Sequence, residues 1–259
     1  GRPFTQALAL EYAALEHLAR TQPSLAVPRV CRSVSGESII HATGGGGRQH
    51  LVRMLAWVPG EVLADAKPQT EALLESLGRR VAETNHGFVG FSHSAMRRPF
   101  PWNLMGTPWI AGELWRFEDA RRRALVERVL ARFADAVAPR LGTLRQQVIH
   151  GDWNDYNVVV GPPEIAAREV VGVVDFGDMA HTALVLDLVA ALTALLGGRD
   201  DAADLFGAAE AALAGYAAVT PLEDEEAAHL GDLFLGRLAQ TSLISAWRVR
   251  LYPENAAYL

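Results

Sequence analysis

Between His150 and Asp178 the chain sets an Asp, an Asn and a second Asp at the ends of short apolar runs, and this pattern constrains the fold more than any other. The stretch reads His150-Gly151-Asp152-Trp153-Asn154-Asp155-Tyr156-Asn157, then Val158-Val159-Val160, a turn, and Val173-Val174-Asp175-Phe176-Gly177-Asp178. The β-branched runs predict two short strands, Asn157 to Val160 and Val170 to Asp175. A strand-loop-strand unit of this kind puts Asp152, Asn157 and Asp175 at one end of a small sheet. An almost wholly apolar helix, Ala183 to Leu196, follows within a few residues of Gly177.

These residue types fit phosphoryl transfer. That reaction needs a metal held among the phosphate oxygens and a base that orients the attacking hydroxyl and accepts its proton. Magnesium favours hard oxygen ligands and usually takes only one or two from protein. Asp152 offers the base, Asn157 an amide oxygen and Asp175 a carboxylate. A lone Asp is more commonly a turn or cap residue, but here each residue type at this spacing matches a distinct role. The short interval after Gly177 leaves no room for a long peptide-binding segment, so a small hydroxyl-bearing acceptor is expected rather than a protein.

The motif resembles that of the aminoglycoside phosphotransferase and choline kinase superfamily, small-molecule relatives of the protein kinases. Asp175-Phe176-Gly177-Asp178-Met179, with Leu51-Val52-Arg53-Met54-Leu55-Ala56-Trp57-Val58-Pro59-Gly60, is most similar to its hydroxylysine-kinase-like branch, including kinase domains fused to class III aminotransferases. The resemblance is strong from residue 148 to 190 and weaker elsewhere. It implies a protein-kinase-like, two-lobed α+β fold: a truncated N-terminal β lobe for the nucleotide over residues 1–58, and a mainly helical catalytic and substrate lobe over 59–259. It also implies Asp152 as catalytic base, Asn157 and Asp175 as magnesium ligands, His150 and Asp187 as supports of the catalytic loop, and ATP or GTP as donor. Glu11, Leu55 and Trp57 are expected at the nucleotide, and Asp178 and Trp153 at the substrate or a second metal. A capping role for Asp178 is an equal alternative.

Composition bounds the partners. The 259 residues are 50% hydrophobic, enough for a substantial core. A net charge of -6 argues against nucleic acid and fits a cationic small-molecule acceptor. Arg121-Arg122-Arg123 reads as a solvated helix face. No membrane span or signal peptide is visible in the sequence, and the single cysteine, Cys31, fits a reducing compartment, hence a cytoplasmic location.

Elsewhere, helices are predicted over Leu8 to Arg20, Thr70 to Phe88, Phe117 to Leu141, Asp200 to Ala218 and Glu223 to Arg250. Short strands are expected at 29–34, 37–41 and 49–55, joined by hairpins at Ser35-Gly36 and at the glycine run 44–47. That run lacks the spacing of a phosphate-binding loop and is read as a hairpin tip. Glu113, Glu118 and Asp119, beside Trp109, Trp115 and Phe117, are read either as a cation-recognising cluster or as a solvated helix start.

One departure bears on mechanism. A nucleotide lobe of this kind carries a strand lysine paired with a helix glutamate. Glu11 or Glu16 supplies the glutamate, but Lys67 is the only lysine and lies beyond the Trp57–Gly60 turn. The expectation is that the lysine-bearing strands lie upstream of Gly1, with possible fusion to further domains. The alternative reading is a catalytically inactive kinase-like binding or regulatory module. A metal-dependent hydrolase would need more ligands, with His181 the candidate.

Overall fold

In a computed structural model the chain is described over residues 2–97, 102–106, 111–162, 164, 168–196 and 201–255. Helix α1 (Arg2–Thr21) opens it. Leu10, Ala14, Leu15 and Leu18 fall on one helical face and are all buried. Strand β1 (Val30–Cys31) pairs antiparallel with β4 (Met54–Leu55), and β2 (Ile40–Thr43) with β3 (Gln49–Val52). The glycine run forms the β2–β3 hairpin tip. The turn around Ser35-Gly36 does not join two paired strands, because β1 pairs with β4 across the intervening hairpin.

Beyond the Trp57–Gly60 turn, β5 (Glu61–Val62), β7 (Val158–Val160) and β8 (Val170–Val173) form an antiparallel sheet in the order β5-β7-β8. A second ladder joins β6 (Gln146–Ile149) to β9 (Ala180–Ala183). Three of these strands, β5, β6 and β9, have no counterpart in the sequence reading. They are two to four residues long and gain their pairing from distant partners rather than from local pattern.

The helices are α2 (Glu71–Gly87), α3 (Ala120–Arg132, continuing as a π turn over Phe133–Val137), α4 (Val185–Leu196), α5 (Ala202–Ala217) and α6 (Asp224–Leu251). Thr70 caps α2 as its sequence predicts, Oγ1 accepting from the Leu73 amide at 3.3 Å. α4 is apolar on all sides and buried along its length. The main core joins α1, α2, the β5-β7-β8 sheet, α4 and α5, and a smaller cluster of Phe117, Val126, Leu130, Ala239 and Leu243 fastens α3 to α6. Among the described residues no helix is long and apolar enough to cross a membrane.

Two packing details set the geometry of the functional end. The linker after α1 docks on β8: Ala26 donates to Val171 O at 3.1 Å and accepts from Val173 N at 3.2 Å. This fixes α1 over the turn that follows β8. Helices α2 and α5 cross where neither helix has a side chain in the way: a Cβ on Gly78 would lie 1.8 Å from Ala212 O, and one on Gly215 1.8 Å from Glu75 O. Alanine at either position has to push the two backbones apart, and about 2–3 kcal/mol of stability should be lost. Chemical denaturation checks this, and an unchanged midpoint in Gly215→Ala would refute the close-packed crossing.

Candidate active site

The loop from His150 to Asn157 joins β6 to β7, and its backbone is held from below by one buried carboxylate. Asp187, on α4 and fully buried, accepts the His150 amide on Oδ2 at 3.1 Å and the Gly151 amide on Oδ1 at 2.7 Å. Gly151 turns the chain with φ 83°, and a Cβ there would come within 2.9 Å of Asp178 O. Burial pushes the Asp187 carboxyl up to about 6, against the two amides that favour its charged form.

His150 is buried too. Its Nδ1 accepts the Asp152 amide at 3.2 Å, and Nε2 lies 3.1 Å from Val174 O. With Nδ1 accepting, Nε2 carries the proton and donates to that carbonyl. Burial pushes the imidazole pKa down, which keeps the ring neutral and in this tautomer. Phe176 meets it edge-on at 4.6 Å. His150 therefore ties the loop to the end of β8 and is closed off from any substrate.

Above this base the polar side chains converge. Asp152 Oδ2 accepts from Asn154 Nδ2 at 3.0 Å and from Asn157 Nδ2 at 2.9 Å. Asn154 Oδ1 in turn accepts the amides of Tyr156 and Asn157, at 2.9 and 3.1 Å, closing the turn. Asn157 also donates to Asp152 O at 3.0 Å. Its amide nitrogen is thus committed to Asp152, and its oxygen is the atom left for a cation. Asn157 O accepts from Val174 N at 2.9 Å, which sets Asp175 beside it. Asp175 takes a left-handed conformation, φ 62° and ψ 76°, with Oδ1 accepting from Gly177 N at 3.2 Å. Backbone strain of this kind persists only where the surroundings enforce it.

Two clefts meet at this loop. One, of about 470 Å³, lies between the α1–β4 part and the sheet, and is lined by Glu11, Arg53, Leu55, Trp57, Tyr156 and Asp175. The other, of about 320 Å³, is lined by Asp152, Asp155, Asp178, Trp102, Arg237 and Arg248. Tyr156 borders both. Asp175 and Asn157, a carboxylate and an amide oxygen brought side by side by the Val174–Asn157 backbone bond, suit a hard divalent cation that takes most of its ligands from phosphate and water. Among the described residues no group of three or more His, Cys, Asp and Glu side chains is placed to hold a metal.

The structure also chooses between the two glutamates of α1. Glu11 is 4% exposed and paired with Arg53, Nη1 to Oε2 at 2.5 Å, whereas Glu16 pairs with Arg32 at the surface. Burial raises the Glu11 pKa; Arg53 works against that rise, and the Asp175 carboxylate adds to it. The expected partner of this glutamate is a lysine; the structure supplies Arg53. Its signal was the Leu51–Gly60 segment itself, in which Arg53 is the one charged residue.

Arg237, from α6, was also missed. Its guanidinium donates to Trp102 O at 2.5 Å and to Gly151 O at 3.3 Å, and lies over the Trp102 ring at 5.3 Å. Nothing in the local pattern of a long amphipathic helix marks such a residue.

Several expected contacts are corrected. Trp153 is 1% exposed, packed in the main core beside His150, so it reaches neither substrate nor metal. Asp119 caps α3, accepting from the Arg121 and Arg122 amides, while Glu113 pairs with Arg116 and Glu118 with Arg250. All three acids are thus engaged at or just before the start of α3; Trp109 lies outside the described residues. Lys67 is exposed in the turn before α2.

A model of the phosphotransferase enzyme family matches residues 2–222. The hydroxylysine kinase of Mus musculus is 31% identical over 242 residues, covering 89% of this chain and 63% of its own length. The chain thus spans a little under two thirds of that relative. Among solved structures, an amicoumacin kinase in complex with AMP-PNP and Ca2+ superposes with a TM-score of 0.68 at 15% identity, over 94% of this chain and 71% of that one. A microcompartment-associated aminopropanol kinase gives 0.67 at 21%, over 93% and 78%. The mixed helices and small sheets thus form the α+β, protein-kinase-like fold that these structures share, and the chain belongs to the phosphotransferase enzyme family.

Proposed function

We propose that this chain carries the catalytic site of a kinase that moves the terminal phosphate of ATP or GTP to the hydroxyl of a small amino compound of the hydroxylysine type. The observation that carries the reading is that Asp152, oriented by two amides, lines one cleft while Asp175 lines the adjoining one. The 31% identity to a hydroxylysine kinase supports this acceptor class.

In this reading the larger cleft takes the nucleotide against Leu55 and Trp57, and Glu11 with Arg53 closes it on the α1 side. Asn157 and Asp175 would hold the magnesium ion, which neutralises charge on the phosphates. The acceptor sits in the smaller cleft with its hydroxyl at Asp152. As the acceptor oxygen bonds to the terminal phosphorus, that phosphorus separates from its bridging oxygen and the hydroxyl proton passes to Asp152. Asn154 and Asn157 keep the carboxylate aimed while this happens.

The full-length protein, given magnesium and ATP or GTP, should consume nucleotide with hydroxylysine and not with lysine, which lacks the accepting hydroxyl. Nucleotide consumption independent of that hydroxyl would point to hydrolysis and overturn the reading. Nucleotide binding without turnover on hydroxylysine, amino alcohols or aminoglycosides would favour an inactive module.

A further inference from the structure

The acceptor cleft carries both signs of charge: Arg237 stands among the carboxylates, and Arg248 stands apart from them. Asp152, Asp155 and Asp178 come from the loop and the turn after β8, while Arg237 and Arg248 come from α6. The two arginines are eleven residues apart, about three helical turns, and so lie on one face of that helix. Arg237 is engaged by the carbonyls of Trp102 and Gly151 and by the Trp102 ring. Arg248 is half-buried at the far end of the cleft, and among the described residues no carboxylate lies within 4.0 Å of it. A cation placed beside the site of a purely cationic acceptor would repel it. The same cation opposite three carboxylates suits a ligand that is positive at one end and negative at the other.

Resting on the kinase reading, we propose that Arg248 binds a carboxylate of the acceptor and so selects a hydroxyl-bearing amino acid over an amino alcohol or a multi-ring amine. The amine end lies toward Asp155 and Asp178, the hydroxyl at Asp152 and the carboxylate at Arg248. At about 320 Å³ the cleft is at the small end for a ligand site, matching one extended amino acid. Arginine suits this role because its planar fork meets a carboxylate with two parallel hydrogen bonds.

The test is calorimetric binding to the full chain, without turnover, of hydroxylysine and of the diamine left when its carboxylate is removed. Wild-type protein should bind hydroxylysine about 10- to 100-fold more tightly, the range expected for a charge-assisted pair. Arg248→Met should bring hydroxylysine down to the affinity of the diamine and leave the diamine unchanged; Arg248→Lys should restore part of the difference. Circular dichroism melting confirms that the variants are folded. Equal binding of both ligands by wild type, an equal loss of both in Arg248→Met, or binding of neither would overturn the assignment. Binding of hydroxylysine that depends on Arg248, without phosphate transfer by the full-length protein, would sink the kinase reading and leave this one standing.

Discussion

Asp152→Asn should lower the rate of phosphoryl transfer about 10²- to 10⁴-fold, the range by which a positioned general base accelerates proton transfer. The substitution is close to isosteric. Asn154 and Asn157 both donate to Asp152 Oδ2, and the amide oxygen of an asparagine accepts the same two bonds. The loop therefore keeps its shape while the group that takes the proton is lost. Nucleotide affinity, measured by calorimetry with a non-hydrolysable analogue, should stay within about threefold, because the nucleotide cleft is lined by Asp175 and Glu11 and not by Asp152. Loss of nucleotide binding together with activity would mean that Asp152 organises the site instead of acting at the acceptor.

Asp187→Asn is expected to reduce kcat about 100-fold with little change in stability at neutral pH. Two effects oppose each other. Replacing one carboxylate oxygen by an NH2 group leaves one of the His150 and Gly151 amides without its acceptor, at roughly 1–3 kcal/mol. Removing a charge from a fully buried site whose pKa is raised to about 6 returns on the order of 3 kcal/mol. What does not cancel is position: the loop that aims Asp152 loses a fixed anchor, and a displacement on the order of 1 Å is enough for the rate loss.

The linkage gives this prediction a second readout. The carboxyl of Asp187 has a higher pKa folded than unfolded, so between its ordinary value of 3.8 and about 6 the native state holds the additional proton. Its contribution to stability is present below pH 3.8 and is lost as pH rises to about 6. The difference in melting temperature, wild type minus Asp187→Asn, should therefore grow in favour of wild type on acidification from pH 6 to 4. A pH-independent difference, or a strongly destabilised variant with normal kcat, would refute the role assigned to this carboxylate.

The parts of the site that were legible in the sequence are those confined to one loop and its flanking strands. Asp152, Asn154 and Asn157 bond to one another within five residues, and Val174 brings Asp175 beside Asn157 through a single strand pairing. Residue spacing alone conveys such geometry. The apolar company of Asp187 marked it as needing a buried partner, while its bonds to the loop were implied only by the family resemblance. Trp153 differs from its polar neighbours in the loop because its side chain turns into the core.

Sequence by itself determined the spacing of Asp152, Asn157 and Asp175 and the short passage from Asp175 to the next helix, because all of these are consequences of local order along the chain. Tertiary structure alone decided the rest of the charge distribution. Glu11 meets Arg53 across 42 residues and Gly151 meets Arg237 across 86, and Arg248 lines its cleft on a helix, α6, that packs on α3 and the π turn. Which of two helix glutamates is buried, and which arginines line a cleft, depends on how elements cross. That crossing is fixed by side-chain packing between distant segments, for which a single chain's periodicity carries no signal.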